Sequence, residues 1–154
     1  TYFTRTTDGG ATWEPARAIH DPGNTAQTIN NQLVMLTDGT LVAFFSRLPT
    51  TTDSAYPPEL LVMRSVDRGA TWSAPIVVAS IQARGTFDAD SGQPVRDGAN
   101  LGSIAAGPDG ELAVVWQDAR FSGALHDGIA FSRSTDGGFT SPSASAFEYS
   151  PRPR

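Results

Sequence analysis

The chain has 154 residues, enough for one packed domain with a real core. Its net charge is −5 and all 11 basic residues are Arg, which argues against nucleic acid or an anionic membrane as the main partner. There is no Cys for a disulfide or thiolate metal site, and no apolar run reaches the roughly 20 residues of a membrane helix. The chain opens inside what reads as a strand, without an initiator Met or leader, and reads as a segment of a longer protein.

In chain order, strands are expected at 2–5 and 16–20, flanking the octet TTDGGATW at 6–13. Strands at 32–36 and 41–46 flank an Asp38-Gly39 turn, and strands at 60–64 and 75–79 flank a second octet, SVDRGATW, at 65–72. Strands at 102–106 and 112–117 flank an Asp109-Gly110 turn. Strands at 128–132 and 143–147 flank a third octet, STDGGFTS, at 134–141. No segment carries a long helical period.

Each octet reads as a self-locked turn. The Asp carboxylate (Asp8, Asp67, Asp136) can accept hydrogen bonds from backbone N–H groups just ahead of it. The Gly two residues on (Gly10, Gly69, Gly138) supplies a left-handed backbone without steric cost. The Thr (Thr12, Thr71, Thr140) can bond back into the turn. Trp13 and Trp72 are expected to be buried as apolar anchors, while Ser141 stands where the third octet would carry its Trp. These residues are therefore expected to hold structure and do no chemistry.

The turns repeat. Asp38 to Asp109 is 71 residues and Asp67 to Asp136 is 69, so the unit is about 70 residues with two tight turns and four antiparallel strands. The expected fold is all-β, a β-propeller of four-stranded antiparallel blades. A half blade is expected over 1–20 and blades over 29–80 and 100–150, about two and a half in all. A partial stack of this kind would leave apolar faces and edges open.

The octets fit the form Ser/Thr-x-Asp-x-Gly-x-Thr-Trp, and in this the chain resembles the sialidases and their Asp-box relatives, the bacterial neuraminidase repeat proteins. The resemblance covers almost the whole chain. It implies a six-bladed ring completed by further blades of the full-length protein, no cofactor, and a secreted location, extracellular or periplasmic.

If the short turns share one end of the sheets, the long connections at 21–28, 48–59, 80–100 and 118–127 share the other. Long loops on a rigid scaffold are where binding and catalysis concentrate. The candidates there include Arg47, Asp53, Tyr56, Asp118 and Arg120, with His20, Asp21, Asp88, Asp90, Arg96, His126 and Asp127 beside them. Asp118 and Arg120 also read as a brace between units, and Arg47 as the partner of a loop carboxylate. Asp88 to Gly92 hints at a calcium loop but lacks the full ligand pattern, so no metal is expected.

In the family, a strand like Gly39-Thr40-Leu41-Val42-Ala43-Phe44 runs into an Arg with the catalytic Asp shortly after. The resemblance thus implies Arg47 and, six residues on, Asp53 as acid/base. The family's first Arg of its carboxylate clamp lies in an Arg-Ile-Pro motif, whose place is taken here by Thr28-Ile29-Asn30. None of the four Glu residues stands where it would activate Tyr2, Tyr56 or Tyr149. Two functions follow as expectations. One is a noncatalytic module binding a glycan or protein on the long-loop end. The other is an exo-glycosidase of the sialidase type, hydrolysing terminal sialic acids.

Overall fold

The computed structural model describes residues 1–50 and 57–140 in full and the backbone of 145–146. Twelve strands form four small antiparallel sheets, with no α-helix among the described residues. β1 (Tyr2–Phe3) pairs with β2 (Arg17–Ala18). β3 (Ala26–Met35), β4 (Leu41–Pro49), β5 (Glu59–Ser65) and β6 (Ile76–Ser80) form a four-stranded meander in sequence order. A second meander is built from β9 (Ser103–Ala106), β10 (Leu112–Asp118), β11 (Gly128–Ser134) and β12 (Ser145–Ala146). The link between the meanders carries a small hairpin of β7 (Thr86–Phe87) and β8 (Pro94–Val95).

The sheets stack face to face in chain order. Phe44 pairs across β4–β5 with Val62, and Phe45 with Leu61, so the two pairs point to opposite faces. Val42, Phe44, Leu60 and Val62 bury against Ile104, Leu112, Val114 and Trp116 of the second meander. On the other face, Phe45, Leu61 and Met63 pack with Trp72 in a second cluster. Here Phe3 of the β1–β2 hairpin meets Trp72 edge-on, with ring centroids 5.3 Å apart. A sheet covered on both sides needs apolar residues at successive positions. This is why β4 reads Leu-Val-Ala-Phe-Phe and β5 Leu-Leu-Val-Met. β10 is buried on one face, and its burial alternates strictly.

Gly102 lets the meanders approach. A Cβ there would lie 2.8 Å from Phe44 Cζ and 3.2 Å from Leu60 Cδ2. The contact is pinned by polar groups. Asn30 Nδ2 and Gln32 Nε2 donate to the Gly102 carbonyl at 2.7 and 2.8 Å, and Ser46 Oγ donates to the Asn100 carbonyl at 2.7 Å.

The expected strands are present, with three differences. β3 begins at Ala26, because a bulge between Ile29 and Gln32, with Asn30 at φ 58°, breaks the alternation that would have revealed it. The β7–β8 hairpin is too short to leave a pattern. Trp13 is 62% exposed, against the expectation that it is buried; only Trp72 has a neighbouring sheet to pack on. Ser141 lies outside the described residues.

Candidate functional site

The three octets form the same hydrogen-bonded turn. In the first, Thr6 Oγ1 and Thr12 N–H donate to Asp8 Oδ1 at 2.7 and 2.9 Å, and Thr12 Oγ1 donates to Oδ2 at 2.6 Å. In the second, Ser65 Oγ, Thr71 N–H and Thr71 Oγ1 bind Asp67 at 2.8, 2.8 and 2.6 Å. In the third, Ser134 Oγ, Thr140 N–H and Thr140 Oγ1 bind Asp136 at 2.5, 3.1 and 2.6 Å. Hydrogen bonds to the charged form hold all three carboxyls well below the usual carboxylate range, led by the Thr hydroxyl for Asp8 and Asp67 and by the Ser hydroxyl for Asp136. Gly10, Gly69 and Gly138 all have positive φ, at 97°, 83° and 88°. These Asp residues are strongly ionised turn locks and are unsuited to proton transfer.

The meander places these turns at one end of the sheets and the long connections at the other. At that other end, Arg47 closes β4 opposite Glu59 on β5 and forms an ion pair with it. The pair lines a cleft of about 220 Å³ with Pro22, Thr25, Ala26, Pro49 and Pro57. His20 lies beside it, its ring 5.2 Å from that of Phe45. Burial, with nearby positive charge including Arg47, lowers the His20 pKa and keeps the imidazole neutral. Asp53 and Tyr56 lie outside the described residues. Thr28 pairs with Arg47 across β3–β4, and Asn30 is spent on the bulge and on Gly102. The Thr28-Ile29-Asn30 segment is thus part of the junction between the meanders.

Asp118 and Arg120 come together as a brace. The Asp118 side chain is fully buried and accepts from Arg120 Nε at 2.8 Å, Arg120 Nη2 at 2.9 Å and Trp116 Nε1 at 2.8 Å. The backbone N–H groups of Arg120 and Gln82 donate to it at 2.9 and 3.1 Å. Burial pushes the carboxyl up, but the Arg120 guanidinium and the other donors outweigh it, and the pKa lies below its ordinary value. Arg120 Nη2 also donates to the Ser80 carbonyl at the end of β6. One buried carboxylate thus ties β10 to the segment leaving the first meander.

Asp127 organises a third group. It accepts from the N–H groups of Arg84 and Gly85 at 2.8 and 2.9 Å and from Gln117 Nε2 at 2.7 Å; the same Gln117 amide donates to Asp97 at 3.1 Å. This fixes the start of β7 against β10 and β11. Between them lies an open groove of about 640 Å³, lined by Arg84, Phe87, Gln117, Leu125, His126, Asp127 and Ile129 among others. Phe87, Leu125 and Ile129 are all at least half exposed along it. The hint of a calcium loop resolves as the β7–β8 turn, where Asp88 Oδ1 accepts from the Ser91 N–H and hydroxyl at 2.8 and 2.6 Å.

One set of residues went unread in the sequence although its signal is plain. Arg5, Arg64 and Arg133 immediately precede the three octets. Arg5 Nη1 donates to the Arg68 carbonyl of the next sheet's octet at 2.6 Å. Arg64 reaches the third octet, donating to the Asp136 carbonyl at 3.5 Å with its guanidinium carbon 3.8 Å from the Phe139 ring centroid.

The chain matches no family model and no curated protein. It is similar to the crystal structure of a protein of unknown function from Dyadobacter fermentans DSM 18053, at 21% identity and a TM-score of 0.60, covering 99% of this chain and 39% of that one. It is also similar to the Hadza microbial sialidase Hz136, at 19% identity and a TM-score of 0.43, covering 90% of this chain and 38% of that one. The chain therefore spans about two-fifths of the length of either protein. The first likeness is one of fold.

Proposed function

We propose that this chain forms part of an Asp-box β-propeller whose stacked meanders are its blades, and that it serves as a noncatalytic module binding a glycan or a protein at the long-loop end. One observation carries the reading. The charged candidates described at that end are committed to the protein itself, Arg47 to Glu59 and Asp118 to Arg120, while the groove beside Asp127 offers half-exposed apolar side chains next to His126 and Arg84. Such a surface suits the mixed apolar and polar face of a sugar or a peptide better than bond cleavage. A secreted or periplasmic setting belongs to the same reading.

The second reading is a sialidase-type exo-glycosidase. It is favoured by the strand Gly39–Phe44 running into Arg47 at the mouth of the long-loop end, and it needs Asp53 as the acid/base. A binding panel of immobilised glycans, run beside hydrolysis of a fluorogenic sialoside, separates the two. The module reading expects retention of a glycan or protein ligand, weakened by Phe87→Ala, with no turnover. Turnover that is lost in Asp53→Ala would replace it with the enzyme reading.

A further inference from the structure

The two junctions between sheets are built alike, and the two ends of the chain carry the two halves of a third. At each junction the Arg three residues before an octet's Asp reaches the octet of the following sheet: Arg5 to Arg68, and Arg64 to Asp136 and Phe139. The residue five before the Asp packs on that octet's Gly. A Cβ on Gly69 would lie 2.5 Å from the Phe3 ring, and one on Gly138 would lie 3.7 Å from Val62 Cγ2. In the first octet the corresponding surface is open. Nothing lies within 4 Å of a Cβ on Gly9 or Gly10, and Trp13 is 62% exposed where its counterpart Trp72 packs on Phe3. At the far side, Arg133 has 57% of its side chain exposed and makes only a 3.8 Å ion pair with Glu111. Ile129 on the same strand face is half exposed.

We infer that two copies of this chain join head to tail, the first octet of one copy seating on the outer β11 face of the other. Arg133 of one copy donates to the backbone carbonyls at Asp8 and Gly9 of the second, as Arg5 and Arg64 do within the chain. Trp13 of the second copy packs on the β11 face that carries Phe131, as Trp72 packs on Phe3. The two surfaces differ, so the contact is heterologous and each joined pair keeps one open end of each kind. The inference rests on the junction geometry alone and is independent of any ligand at the long-loop end.

Sedimentation velocity of the 154-residue chain over a range of concentrations reads the association directly. The chain is expected to associate reversibly, and Trp13→Ala or Arg133→Ala to weaken this by about tenfold or more. Each variant loses one end only, so an equimolar mixture of the two is expected to form dimers and nothing larger. Hydrogen exchange on the unaltered chain gives a second reading, with the amides of 8–13 and 128–134 gaining protection as concentration rises. A concentration-independent monomer overturns the inference. So does a mixture that behaves like either variant alone, or variants that associate as the parent does.

Discussion

The Trp116 indole N–H donates to Asp118 Oδ2 at 2.8 Å, inside a carboxylate that also holds Arg120 and the Gln82 backbone. Trp116 belongs to the core between the two meanders, so the hydrogen bond couples apolar packing to the polar brace at the long-loop end. Every oxygen of Asp118 is occupied, and Arg120 lies 5.7 Å from the Trp116 ring as well. A substrate would have to displace this set to use either charge.

Asp118→Ala should therefore act on stability. It leaves Arg120 half-buried without its partner and the Trp116 indole and Gln82 N–H without an acceptor. Loss of one member of a buried pair costs about 3–5 kcal/mol. Urea unfolding at neutral pH should show a loss of that order. A loss below about 1 kcal/mol, the size of an exposed pair, would mean the brace is not structural.

Arg68→Gly should stabilise the fold slightly. Arg68 adopts φ 58°, and its counterparts in the other octets are Gly9 and Gly137, at 74° and 68°. A left-handed non-glycine residue costs about 1 kcal/mol or more, partly offset by the greater unfolded freedom of Gly. The acceptor for Arg5 is the Arg68 carbonyl, which the substitution keeps. The expected gain is about 0.5 kcal/mol, read as a higher denaturation midpoint. A lower midpoint would show that the Arg68 side chain itself supports the junction.

The octets were legible in the sequence because their locks close within five residues, as between Asp67 and Thr71. The turns then bracketed the strands, and the 71-residue offset from Asp38 to Asp109 gave the repeat. What depends on a distant neighbour was not legible. Trp13 and Trp72 have the same local sequence, and only a second sheet separates their fates. The first half of β3 was hidden by the Asn30 bulge, whose reason is the Gly102 carbonyl 72 residues away. The Asp118–Arg120 pair could be read as a brace from its spacing, but its partners Gln82 and Ser80 could not. Arg5, Arg64 and Arg133 could have been found by extending each octet one residue backward.

The octets should also make the fold acid-sensitive. Asp8, Asp67 and Asp136 have folded pKa values lowered by their hydrogen bonds. A lowered folded pKa gives stability that is fully present above the unfolded value, about 4, and is lost as pH falls from there through the folded value. Asp67→Asn removes this contribution. The variant should be less stable than the parent at pH 7, and the gap should close as the pH is lowered below about 4. Thermal melts of both proteins across that range check it. A gap that stays constant would mean the Asp67 carboxylate is not the titrating lock.

Gly102→Ala tests the approach of the two meanders. The added methyl would lie 2.8 Å from Phe44 Cζ, and Phe44 is fully buried, so its ring has nowhere to turn. Nor can the backbone back away, because Asn30 and Gln32 hold the Gly102 carbonyl. Overpacking of this kind costs about 1–3 kcal/mol. Phe44→Leu alone also destabilises, since it opens a cavity in the same core. Each change relieves the defect of the other, so the double variant should lose less stability than the sum of the single losses. The shortfall should be at least about 0.5 kcal/mol, above the usual error of additivity. Strict additivity in urea unfolding would place Gly102 and Phe44 out of contact and contradict the packing between the sheets.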